Sequence, residues 1–205
     1  MARNIVSGAR GLVLPALAAA LAAGPAAAQR QVVAEGPYLH GPAQALYPVR
    51  VGEFRRTDIY QYDLEGKDVS ASYNLATPEG RLLITVYIYP AAPAAVADRA
   101  QLCAQEFGVV NTAISSQHDN AAPTERGPAL AVDGIGAGLG HRSVYRFSSP
   151  FGDRVQEIRS EAHLYCYVGG DWLVKYRVSA PVGMETQDAV ERFIRNGPWP
   201  GRSSA

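Results

Sequence analysis

The chain has 205 residues, 47% of them hydrophobic and 19% charged, with 19 basic side chains against 19 acidic ones. Balanced charge argues against a nucleic-acid partner, because such binding is dominated by neutralising phosphates. The length suits one domain with a sizeable core.

At the start of the chain, Arg3 and Arg10 precede the apolar run "GLVLPALAAALAAG" (11–24), which ends in "PAAAQ" with small residues at Ala26 and Ala28. This reads as a signal peptide, residues 1–28, cleaved before Gln29. The run is too short for a membrane span, which takes about 20 residues, and Pro15 interrupts it; no membrane span is expected after cleavage. Removing residues 1–28 leaves 177 residues, and 17 basic side chains then face 19 acidic ones. Lys67 and Lys175 are the only lysines. That arginine-rich, alanine-rich composition suggests a bacterial origin, which makes the expected compartment a periplasm.

The next stretch, 29–48, is rich in Pro, Gly and Ala and reads as a flexible or surface-hugging leader. A single α+β domain is expected from 49 to 205. Residues 49–63 form a plausible strand and "LEGK" a turn. In "DVSASYNL", Val69, Ala71, Tyr73 and Leu75 share one face, as do Leu82, Ile84, Val86 and Ile88 in "RLLITVYIYP". Three antiparallel strands in a meander follow.

Pro90 and Pro93 close that meander and open a helix. Val96, Ala100, Cys103, Phe107, Val110 and Ile114 recur at spacings of three and four, giving an apolar stripe, with the helix end at Gly108 or near Gln117. "HDNAAPTERGPA" reads as a polar loop. The stretch "DGIGAGLGH" (133–141) then places glycines at every second position. A dinucleotide fingerprint needs G-x-G-x-x-G opening a helix, whereas "HRSVYRF" here reads as a strand. The stretch is therefore taken as a bulged hinge between two halves and a mobile lip beside His141.

The second half repeats the plan with "HRSVYRF", the turn "SSPFGD", "RVQEIRSEAHLYCYV", the turn "GGD", "WLVKYRVSA" and a helix over 184–196 that Asn196-Gly197-Pro198 stops. The expected fold is α+β, an antiparallel sheet of about six strands from two meander-plus-helix units with the helices packed on it. For the last hairpin, a two-residue loop pairs Leu164 with Lys175 and Ala162 with Arg177, mixing apolar and charged partners. A three-residue loop pairs Val168 with Trp172, Cys166 with Val174, Leu164 with Tyr176 and Ala162 with Val178, and is preferred because the buried face sets register.

That register puts His163, Tyr165, Tyr167, Lys175 and Arg177 on one face, the candidate binding surface, since Tyr and Arg combine contact area with polar handles. Tyr87 and Tyr89 extend it if their strand lies alongside. Cys103 on the helix stripe and Cys166 on the core face of its strand form an expected disulfide. No metal site and no cofactor are expected. His163 and Cys166 point to opposite faces of an extended strand, and His40, His118 and His141 lack ligand spacing. Asp63, Glu65 and Asp68 read as a solvated turn rather than a calcium loop. G-x-S-x-G, H-E-x-x-H and G-x-x-x-x-G-K-[ST] are all missing.

From Val49 to Asn196, the order of elements carried by "DVSASYNL", "RLLITVYIYP" and "HLYCYVGGDWLVKYRVSAP" resembles the PsbP-like fold, shared by an extrinsic photosystem subunit and bacterial envelope relatives. The resemblance implies a non-enzymatic assembly or binding module and carries over no residue roles. The leading expectation is a periplasmic module that binds an envelope protein, peptide or small ligand through its Tyr/Arg sheet face. Two alternatives stand beside it. One is an envelope hydrolase with His141 or His163 as general base, Glu161 lying two residues from His163 on the same face; the other is an inhibitor or immunity protein.

Overall fold

A computed structural model describes residues 29–202, so the expected signal peptide lies outside the described residues. Among them, β1 (Arg30–Gln31), β2 (Tyr38–His40), β3 (Ala45–Tyr47) and β4 (Arg50–Val51) precede a first meander of β5 (Phe54–Gln61), β6 (Val69–Thr77) and β7 (Gly80–Pro90). Helix α1 (Arg99–Gln117) and β8 (Glu125–Pro128) lead to a second meander of β9 (Gly140–Phe151), β10 (Arg154–Val168) and β11 (Trp172–Pro181), and helix α2 (Gln187–Asn196) follows. The fold is α+β and its sheets are antiparallel. The main sheet has nine strands rather than about six, in the order β1-β5-β6-β7-β11-β10-β9-β8 with β4 also on β5. The additional strands, β1, β4 and β8, have two to four residues each, too few to show alternation in sequence.

The two meanders join through their last strands, β7 against β11, so Lys175 faces Tyr87 and Arg177 faces Thr85 across the middle of the sheet. The alternation read in β6 and β7 holds: Val69, Ala71, Tyr73, Leu82, Ile84, Val86 and Ile88 are all buried. Each helix covers the other half's strands. Phe193 of α2 stacks edge-on against Phe54 and Tyr73 of the first half at 4.9 and 5.1 Å. Cys103, Phe107, Val110 and Ile114 of α1 pack with Tyr145, Ala162, Leu164 and Cys166 of the second half, on the opposite face. The stripe expected on α1 starts late. Residues Val96–Asp98 form a 3-10 turn whose tighter winding breaks the phase, leaving Val96 exposed. Gly108 sits inside the helix, which runs to Gln117.

Residues 29–48 are not the flexible leader expected. Here β1 pairs with β5, β2 with β3, and His40, Ala45 and Tyr47 are buried. The Tyr47 hydroxyl donates to the Val69 carbonyl (3.2 Å), His40 Nε2 donates to the Gly66 carbonyl (2.9 Å), and Arg56 Nη2 donates to the Ala34 carbonyl (2.8 Å). A few aromatic and small residues close the core here without a long apolar run. The glycine-rich stretch is similarly tied down: Leu139 packs in the α1 core and its carbonyl accepts the Cys166 N–H at 2.9 Å. Positive φ at Gly134 (83°) and Gly138 (74°) is what the bends on either side require.

Candidate functional site

The β10–β11 hairpin decides which side chains share a face, and it departs from the expected register. Val168 pairs with Trp172 as expected. A bulge then intervenes, and Tyr165 pairs with Val174, Leu164 with Lys175, His163 with Tyr176 and Ala162 with Arg177. The bulge residue Tyr167 takes a left-handed conformation, φ 57°. One extra residue places Cys166 and Tyr167 on the same side, both in the α1 cluster. There Cys166 stands at disulfide-bonding distance from Cys103, with Cα atoms 5.8 Å apart. The Tyr167 ring lies under the Arg99 guanidinium, 4.7 Å from the ring centroid. Charged partners beside Leu164 and Ala162 are tolerated because the α1 cluster takes in the β10 residues but, on β11, only Leu173: Leu164 and Ala162 are fully buried, whereas Lys175 and Arg177 are only half-buried.

The five residues of the expected surface are consequently split. His163 and Tyr165 lie on the α2 side, whereas Tyr167, Lys175 and Arg177 lie on the α1 side. Tyr165 is a core residue, its ring edge-on to Trp199 at 5.0 Å and its hydroxyl donating to the Leu130 carbonyl at 3.1 Å. His141 and His163 are also on opposite faces, since His141 pairs with Leu164 and stacks on Phe107 at 5.2 Å.

What remains on the α1 side, at the edge of α1 and past it, is a half-buried floor. Tyr87 and Tyr89 of β7 do join it, because β7 pairs with β11. The Lys175 ammonium lies 4.1 Å from the Tyr87 ring centroid and 5.7 Å from that of Tyr89. Tyr62 continues the row, 6.2 Å from Tyr87 between ring centroids, with its hydroxyl 3.0 Å from Ser70 Oγ. The Tyr89 hydroxyl donates to Glu106 of α1 at 3.0 Å. Arg177 donates to Ser160 Oγ at 3.0 Å, and its Nε has no partner among the described residues. Neither Lys175 nor Arg177 has a carboxylate in salt-bridge range among those residues. Burial, with the neighbouring Arg177 adding to it, pushes the Lys175 amine down to about 8; Asp68 and Glu106 act on it only at longer range.

On the other face, β9 and β10 carry Arg142, Arg146, Arg159, Glu161 and His163 into a cavity of about 530 Å³ beside the approach to α2. Glu161 is the hub. It accepts from Arg142 Nε at 2.8 Å, from His163 Nε2 at 3.1 Å and from Arg159. Burial alone raises a carboxyl's pKa, yet the hydrogen bonds from His163 and Arg142 outweigh it and hold Glu161 down to about 2. Arg142, Arg146 and Arg159 gave no pattern legible in sequence, because their association needs the β9–β10 pairing that sets Arg146 opposite Arg159 and Arg142 opposite His163.

The turn at Asp63, Glu65 and Asp68 is held by the Asp63 carboxylate, which accepts the Lys67 and Asp68 N–H groups. Among the described residues, no helix is long and apolar enough to cross a membrane. No protein-family model, no curated protein and no solved structure matches the chain.

Proposed function

We propose that this chain is an exported, periplasmic binding or assembly module whose Tyr/Lys/Arg floor, built from Tyr62, Tyr87, Tyr89, Lys175 and Arg177, takes acidic side chains of an envelope protein or peptide. The observation that carries this reading is the pair Lys175 and Arg177, two residues apart on one strand and half-buried, Lys175 over the Tyr87 and Tyr89 rings and Arg177 on Ser160, with no carboxylate partner among the described residues. Placing two cations side by side is unfavourable unless a negative group completes the arrangement. The rings supply rigid contact area at low entropic cost, as recognition surfaces do. Export is supported by the Arg3/Arg10 and apolar pattern of residues 1–28 and by a cysteine pair at bonding distance, which an oxidising compartment would crosslink.

Titration with a peptide alternating Glu and Tyr tests the reading. Binding is expected to weaken by tenfold or more in Lys175→Ala/Arg177→Ala, and to fall steeply with added salt. A double variant that binds the peptide and its envelope partners as the parent does would exclude this floor.

A second reading, a hydrolase with His163 as general base, draws on the 3.1 Å contact between His163 and Glu161, which would orient the ring. The other ring nitrogen, Nδ1, is enclosed without a hydrogen-bond partner, so no described hydroxyl stands ready for it to activate. Hydrolytic turnover lost in His163→Ala but retained in Lys175→Ala/Arg177→Ala would favour it.

A further inference from the structure

We propose that the cavity between the β9–β10 strands and α2 binds a small organic anion, a carboxylate or phosphate carried on an apolar body, with Arg146 and Arg159 holding the charged group. This site lies on the opposite face from the Tyr/Lys/Arg floor and is independent of it.

The charge arrangement is the first reason. Arg146 and Arg159 are directly opposed on neighbouring antiparallel strands, so their side chains leave the sheet on one face a few ångströms apart. Such a like-charge pair destabilises a sheet unless something neutralises it. The carboxylates in the wall do so incompletely. Glu161 is already saturated by Arg142, Arg159 and His163. Glu191 is held by Arg195 at 2.8 and 3.2 Å, Glu125 reaches only Arg142, at 3.5 Å, and Glu185, exposed at the rim, pairs with neither Arg146 nor Arg159. Arg146 makes no hydrogen bond or ion pair among the described residues. Planar guanidinium forks in this position match the two oxygens of a carboxylate or phosphate.

The opposite wall adds two complementary features. The α2 N-terminus lines the cavity through Thr186 and Gln187, and Thr186 makes no side-chain cap, so first-turn N–H groups lack the partner that a capping residue would give. Leu130, Met184, Val190 and Ile194 supply an apolar surface beside these donors. Charged donors at one side and hydrocarbon at the other select a ligand with both. His163, only 4% exposed, also lines the cavity and has an unpartnered Nδ1, a further polar group whose hydrogen-bonding capacity the chain itself leaves unused.

Three probes at constant ionic strength test this by calorimetry and amide chemical shifts: hexanoate, inorganic phosphate and hexanol. Saturable hexanoate binding is expected, with shifts at Arg146, Arg159 and the first turn of α2. It should weaken at least tenfold in Arg146→Ala, partly recover in Arg146→Lys, and stay unchanged in Lys175→Ala/Arg177→Ala. Arg146 is exposed and unpaired among the described residues, so its substitution should not lower the thermal midpoint and any loss can be read as lost binding. Non-saturating hexanoate, or equal binding by Arg146→Ala, would overturn the site. Phosphate binding as tightly as hexanoate would overturn the apolar body, and hexanol binding as tightly would overturn the anion.

Discussion

The Tyr/Lys/Arg floor and the Arg-lined cavity occupy opposite faces of one sheet, and each exists because a helix covers the other half. On the floor, Lys175 is supported by rings and Arg177 by Ser160, and neither has a carboxylate partner among the described residues. In the cavity, Arg142 and Arg159 converge on a nearly buried Glu161, while Arg146 stands apart. The comparison separates two uses of arginine. A cation tied to an internal carboxylate stabilises the fold and is costly to disturb; a cation without one contributes little to the fold and is free to recognise something else.

The largest effect that would sharpen this contrast concerns the anchor of α1 on its face of the sheet. The cysteine pair spans 63 residues and joins α1 to β10. The chain-entropy account makes such a crosslink worth about 4 kcal/mol. Cys103→Ser/Cys166→Ser, followed by denaturant unfolding, is expected to lose about that much; an unchanged midpoint together with two free thiols in the parent would remove the crosslink.

Next in size is Glu161→Ala, expected to cost about 3 kcal/mol because two guanidinium groups and His163 lose a buried partner. The acid profile gives an independent measure. Glu161 is held at about 2, against 4.5 when unfolded, so its stabilisation is complete above about pH 4.5 and is lost as the pH falls towards 2. Unfolding followed from pH 7 to 2 should show this loss in the parent and not in Glu161→Gln.

A smaller loss should begin at higher pH. Burial pushes the pKa of His40 below 6.5, so the folded state resists a proton that the unfolded chain accepts. Stability is expected to be full above about pH 6.5 and to decline as the pH falls below it, a phase absent from His40→Gln. If acid affected His40→Gln and the parent alike in that range, the β2–β3 segment would not be tied to the core as described.

Smallest of all, Lys175→Ala/Arg177→Ala should change stability by less than about 1 kcal/mol, since it removes no ion pair. A loss comparable with that of Glu161→Ala would erase the distinction between the two faces and make the floor a structural network.

The elements themselves were readable where periodicity is strong. Leu82, Ile84, Val86 and Ile88 declared their shared face, and Asn196-Gly197-Pro198 marked the end of α2. Cys103 and Cys166 were paired from the helix stripe and the strand face alone. The packing of residues 29–48 was not legible because their contribution comes from isolated buried side chains such as Tyr47 and His40, whose contacts lie 22 and 26 residues away.

Local sequence thus determined most of the longer strands, both helices and the cysteine pair, since alternation and helical spacing express nearest-neighbour geometry within one element. Tertiary structure decided the sites. A single extra residue at Tyr167 reversed the pairing of β10 against β11, because a period of two turns any one-residue shift into an exchange of faces. That shift moved His163 and Tyr165 away from Lys175 and Arg177. The joining of β7 to β11 then brought Tyr87 and Tyr89 beside Lys175, and the pairing of β9 with β10 set Arg146 against Arg159. These are contacts between elements distant in the chain, and only the folded sheet specifies them.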